Sequence, residues 1–193
     1  MKSVAAAVAL AFACSAAAAA DDSDIAVDVR KDGPTIHVKV DCPVKAPPAA
    51  AWQVLTDYEG MPRFISTVTD STVRMRMGNR LQVVQKGTAS RGPLSYSFRN
   101  LREIELLPQT EIRSKIVEGD TMPAAFVTRL EKRGGTTHIV HTGSYTPSTW
   151  VPPGLGPMLI EAETRKQYGE IRAEILRRAG GAGSTPDKAG SAR

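Results

Sequence analysis

Only two of the 193 residues are cysteine, Cys14 and Cys42. Cys14 lies in an N-terminal apolar stretch read below as removable, which leaves Cys42 alone, so no intramolecular disulfide can staple the fold even in an oxidising compartment. A lone cysteine where a strand runs into a proline turn is expected to be a small buried apolar residue rather than a nucleophile. Histidine is scarce too, with three in the chain. His138 and His141 are three apart in an alternating run and so point to opposite faces, while His37 shares an outward parity with Lys39. There is no Gly-rich phosphate loop, no Gly-x-Ser-x-Gly elbow and no Cys/His cluster. No metal and no cofactor are therefore expected. The carboxylates fall mostly on the outward side of the strands, which leaves no evident acid dyad.

The ends of the chain stand apart from its middle. Lys2, the apolar run from Val4 to Cys14 and the small residues Ala18-Ala19-Ala20 have the order of a secretory signal, so residues 1–20 read as a cleaved leader. The run is too rich in alanine for a convincing membrane span. A lipoprotein signal acylated at Cys14 is the rival, but Ala-Phe-Ala is a poor lipobox. A periplasmic or secreted location after cleavage near Ala20 follows, leaving about 173 residues, the usual size of one domain. The formal net charge of +5 is spread along the strands. It permits transient contact with an anionic membrane surface, and export argues against nucleic acid as a partner. A monomer is expected. From Ala179 the sequence is Gly/Ala/Ser-rich and reads as a disordered tail, residues 179–193.

Between the ends, apolar and polar residues alternate with period two, the mark of half-buried antiparallel strands. Ile25 to Arg30 pairs with Ile36, Val38 and Val40 across a Lys31-Asp32-Gly33-Pro34 turn. Val73, Met75 and Met77 take the inward parity before Gly78-Asn79, and Leu81 and Val83 continue it. Tyr96, Phe98, Ile104 and Leu106 share a parity after Gly92-Pro93; Ile112, Ile116, Phe126, Leu130, Ile139 and Tyr145 complete the set. The last element is helical. Ile160, Thr164, Tyr168, Ile171 and Ile175 form one stripe, and Glu161–Arg165 and Glu174–Arg178 are spaced for i,i+4 pairs. Leu155, Met158 and Leu159 point away from that stripe, toward the loop that precedes the helix.

The inward parity also carries Gln85, Asn100, Arg102, Ser114, Thr128 and His141. A purely structural core avoids such groups, because each needs a partner or costs a few kcal/mol. Two explanations are open. Either they fix the polar head of a ligand, or some are satisfied within the core, and a bulge in the long strand swings Asn100 and Arg102 outward. Aromatics make up 5% of the chain, and Tyr96, Phe98, Phe126, Tyr145 and Tyr168 would converge between sheet and final helix. Trp52 reads as plain core.

The phrase Ala51-Trp52-Gln53-Val54-Leu55-Thr56-Asp57-Tyr58-Glu59-Gly60-Met61-Pro62-Arg63-Phe64 follows a strand and a proline pair, and it resembles the opening of START-like proteins of the SRPBCC superfamily. It is most similar to their coenzyme Q-binding and polyketide cyclase/dehydrase branch. The resemblance covers about Ile36 to Arg178 and implies an α+β helix-grip fold: a curved antiparallel sheet wrapped around a long C-terminal helix, with two short helices after the first strands. It further implies a START-like lipid-binding domain over 21–178, a cavity between sheet and helix, and a gate near Trp150. The ligand-binding residues would then be Tyr96, Phe98, Phe126, His141, Tyr145, Trp150, Thr164 and Tyr168. The leading expectation is an exported carrier for a quinone, polyketide or other lipid. The alternative is a cyclase or dehydratase acting on a polyketide-like substrate, with His141 as acid/base and Tyr145 or Arg102 polarising a carbonyl. A fold shared by both classes does not choose between them.

Overall fold

The computed structural model describes residues 22–91, 94–147 and 155–182. Strands β1 (Ala26–Asp32) and β2 (Thr35–Val44) form a hairpin whose turn needs the left-handed backbone of Gly33, at φ 53°. Proline then stops the strand ladder and starts a helix. Pro47 is extended at φ −61°, and Pro48 opens α1 (Pro48–Leu55), where a missing N–H costs nothing. Ala51, Val54 and Leu55 of α1 are buried, and Trp52 packs half-buried against the core, as the sequence implied. A 3-10 turn, Tyr58–Arg63, follows at once, with Asp57 Oδ1 accepting from the Gly60 N–H at 3.0 Å. These are the two short helices expected after the first strands.

The remaining strands are β3 (Val68–Met77), β4 (Arg80–Arg91), β5 (Leu94–Leu107), β6 (Glu111–Gly119), β7 (Thr121–Arg133) and β8 (Thr136–Pro147). They join the hairpin in one eight-stranded antiparallel sheet of order β1-β2-β8-β7-β6-β5-β4-β3. Helix α2 (Leu155–Ala182) lies against its concave side, completing the helix-grip architecture. The core gathers Ile25, Ile36, Val38, Val40, Leu81, Val83, Ile104, Ile112 and Ile139 from the sheet with Tyr168, Ile171 and Ile175 from α2. Cys42 is fully buried, its Sγ lying 4.0 Å from the Tyr168 carbonyl, and burial pushes its thiol up to about 12. It is placed as a small packed residue of the core.

Two expectations need correction. Met75 and Met77 are 40% and 67% exposed. A register shift between Val73 and Met75 breaks the alternation, and the strand end runs past the core. Helix α2 also continues to Ala182, so residues 179–182 are helical rather than tail, and the rest of the expected tail lies outside the described residues. Backbone hydrogen bonds from the preceding turn carry the helix through Gly180 and Gly181, which composition alone assigns to coil.

Helix α2 is held unevenly. From Tyr168 onward it buries Tyr168, Gly169, Ile171, Arg172 and Ile175, packing on β1, β2 and α1. Residues 157–167 bury no side chain fully. Arg172 is only 7% exposed and pairs with Asp24 at 2.5 Å and Asp22 at 2.6 Å, ahead of β1. Asp22 sits so close over Gly169 that a Cβ there would meet its Oδ2 at 2.2 Å. Arg165 donates to the Ile25 carbonyl on the same side. Further along, Arg178 bonds Glu174 at 2.6 Å and Asp57 at 2.8 Å, tying the helix to the 3-10 turn.

Candidate functional site

The sheet registers lay out the inward face in rows. One row runs Val40, His141, Thr128, Ile112 across β2, β8, β7 and β6. The next runs Val38, Gly143, Phe126, Ser114, Ile104, Leu81, and a third runs Ile36, Tyr145, Ala124, Ile116, Arg102, Val83. Alternation alone puts these side chains on one face of the sheet. Gly143 has a particular task in the second row. A Cβ there would meet Phe126 Cδ1 at 2.2 Å, so the missing side chain is what lets the Phe126 ring lie across β8. There the ring stacks on His141 at 5.4 Å between centroids and 16° between planes. Tyr145 approaches the same ring at 6.3 Å, and Tyr168 comes down from α2 to within 5.7 Å of His141.

The polar groups are fixed as firmly. Thr128 Oγ1 and His141 Nδ1 are 2.8 Å apart and share a hydrogen bond. Arg102 Nη1 donates to Gln85 Oε1 at 2.9 Å, and its guanidinium lies 5.6 Å from the Phe126 ring centre, a cation–π arrangement. Gln85 Nε2 is directed at Ser71 Oγ, 3.3 Å away, and at Met61 Sδ, 3.1 Å away. Arg102 Nε and Ser114 Oγ are buried without a hydrogen-bond partner. Burial lowers the pKa of Arg102, against the opposing pull of Tyr58 and Tyr168. Burial, aided by the Arg102 charge, brings His141 down to about 4, so its ring is neutral at physiological pH. Burial also raises the phenols, Tyr58 to about 12 and Tyr168 higher still. Arg102 and His141 are strongly desolvated, yet both keep partly accessible surface, as do Phe126, Thr128 and Tyr145.

Of the residues singled out from the sequence, Phe126, His141, Tyr145 and Tyr168 come together in one aromatic group. Thr164 lies one turn before Tyr168 on α2, half-buried. Phe98 does not join them. Its ring is taken up by Gly87, where a Cβ would meet Phe98 Cζ at 2.5 Å. Trp150 and the loop expected to gate the cavity lie outside the described residues, as does the side chain of Tyr96. Asn100 is inward but structural: its Oδ1 accepts from the Asp120 N–H at 3.1 Å. The bulge beside Arg102 is in β6 rather than in the long strand: Val117 is the extra residue between the partners of Leu101 and Arg102, and Arg102 keeps its inward place. The Arg102–Gln85–Ser71 chain crosses three strands, and Tyr58 comes from the 3-10 turn, so neither grouping has a local sequence signal.

A curved sheet gripping a C-terminal helix, with an aromatic interior studded by a few polar groups, defines a fold for binding hydrophobic ligands. The chain belongs to the family described as polyketide cyclase / dehydrase and lipid transport, whose pattern matches residues 44–166. No curated protein matches its sequence. Among solved structures it is similar to the STAR-related lipid transfer protein of Xanthomonas axonopodis, with TM-score 0.66 and 12% identity over 80% of this chain and 94% of that one. It is also similar to the Zhui aromatase/cyclase of Streptomyces sp. R1128, with TM-score 0.64 and 17% identity over 78% and 99%. A START superfamily protein of Mycobacterium smegmatis gives TM-score 0.57 and 12% identity over 76% and 98%. At these identities the likeness is one of fold.

Proposed function

We propose that the protein is an exported, non-catalytic carrier for a hydrophobic small molecule such as a quinone, a polyketide or another lipid. The observation that supports this most is the group Phe126, His141, Tyr145 and Tyr168, deep between sheet and α2 and yet partly accessible. An apolar body laid there leaves water, worth roughly 25 cal/mol for each Å2 buried. The neutral His141 and its Thr128 partner offer one polar contact without the cost of a second buried charge. Acid/base turnover needs a group that titrates near the working pH. His141, neutral down to about pH 4, is a weak base and no proton donor at pH 7, which favours carriage over cyclisation. The leader over residues 1–20 supports export, and mature protein is expected to begin at Asp21. Native mass spectrometry of protein isolated from its own cells tests the reading. A non-covalently held, solvent-extractable lipid is expected, depleted by Phe126→Ala and Tyr168→Ala. Protein that is always empty, and that takes up neither ubiquinone nor a fatty acid or its methyl ester, refutes the carrier.

A further inference from the structure

Arg102 carries a charge that the fold leaves unbalanced. No carboxylate among the described residues pairs with it; the ionisable groups that act on it are the phenols of Tyr58 and Tyr168. Those phenols are pushed upward by burial and stay neutral, so they supply no counter-charge. The buried acid on β6, Glu111, faces the other side of the sheet, where Arg113 at 2.5 Å and Arg129 at 2.6 Å hold it. Gln85 satisfies one terminal nitrogen of Arg102 and is itself committed to Ser71 and Met61. Nε remains buried with no acceptor, and Ser114 Oγ, directly across from Phe126 on the neighbouring strand, is likewise unpartnered. A guanidinium does not shed its proton in a protein, so desolvation cannot be escaped by neutralisation. What relieves such a group is an anion, and a guanidinium fork matches a carboxylate in shape. The site balances one negative charge and not two, because His141, which shares the Phe126 ring with Arg102, is neutral at pH 7.

We propose that Arg102 anchors the carboxylate of an amphiphilic carboxylic acid, with Ser114 as a further donor and the apolar body lying along Phe126, Tyr145 and Tyr168. The proposal rests on the carrier reading and narrows its ligand to acids. Isothermal titration of the delipidated full chain tests it with two pairs, dodecanoic acid against methyl dodecanoate and naphthalene-2-carboxylic acid against its methyl ester. In the unsubstituted protein the acids are expected to bind about tenfold or more tighter than the esters. Arg102→Met is expected to equalise each pair, to leave the esters' affinity within a few-fold, and to raise the thermal midpoint of the ligand-free protein. Acids and esters that bind the unsubstituted protein equally would overturn the anchor and leave the carrier standing. So would a preference that survives Arg102→Met, or dodecyl phosphate binding more tightly than the acid. A fall in the ligand-free midpoint marks Arg102 as structural and also overturns it. Failure of all four compounds to bind overturns the anchor; the carrier falls with it only if the native protein is also always empty and takes up no ubiquinone.

Discussion

The clasp between Arg172 and the residues ahead of β1 makes an asymmetric prediction. The arginine is 7% exposed, while Asp22 and Asp24 are 35% and 57% exposed. Removing the acids by Asp22→Asn with Asp24→Asn strips both carboxylates from a buried cation. Breaking a buried pair in this way costs about 3–5 kcal/mol. Removing the cation by Arg172→Met leaves two aspartates already half in water, and methionine keeps much of the packing volume; a cost of about 1 kcal/mol is expected. For a domain of this size the first change lowers the thermal midpoint by about 10 °C and the second by only a few degrees. Combining all three substitutions should recover most of the loss, because the buried charge is gone. Urea denaturation followed by far-ultraviolet circular dichroism measures all three. If Arg172→Met proves as damaging as the paired asparagines, attraction between helix and strand holds the clasp, and the reasoning from burial fails.

His141 sets a pH dependence. Its pKa falls from an ordinary 6.5 to about 4 on folding, so the unfolded chain binds the extra proton first as pH drops. Its contribution is fully present above pH 6.5 and is lost toward pH 4, about 3 kcal/mol in all, and His141→Gln should flatten that part of the stability curve. Glu174, held near 2 by its bonds to Arg177 and Arg178, acts in a lower window, present above its usual 4.5 and lost toward pH 2. Gly143→Ala should cost about 1–3 kcal/mol, and it should turn Phe126 off His141, seen as a loss of ring-current shift on the imidazole protons. Ile171→Asp, at a position 6% exposed, should cost several kcal/mol while Gln167→Asp is nearly silent; equal effects on the denaturation midpoint would mean the helix phase is wrong.

Period-two alternation carried most of the fold in plain sight, because one face of most strands is turned to the core and each residue pair repeats the signal. It failed at Met75 and Met77, where one bulge shifts the register and the strand outruns the core. Phe126, His141, Tyr145 and Tyr168 were legible for the same reason: parity on the strands and a four-residue step on the helix aim them into one space. Arg102 shows the limit. Parity placed it inside and the cost of a buried charge argued for outside, and only its neighbours Gln85 and Phe126 decide. The Arg172 clasp joins residues 148 and 150 positions apart, beyond any local pattern.

The uneven seating of α2 also bears on how such a protein diverges. Its second half is locked by Ile171, Arg172 and Ile175, so substitutions there are screened by folding itself. Residues 157–167 bury no side chain fully. Changes along that stretch come at little expense in stability, because few core contacts are lost with them. A lineage can therefore accumulate substitutions in one half of a single helix, while the other half keeps the domain folded.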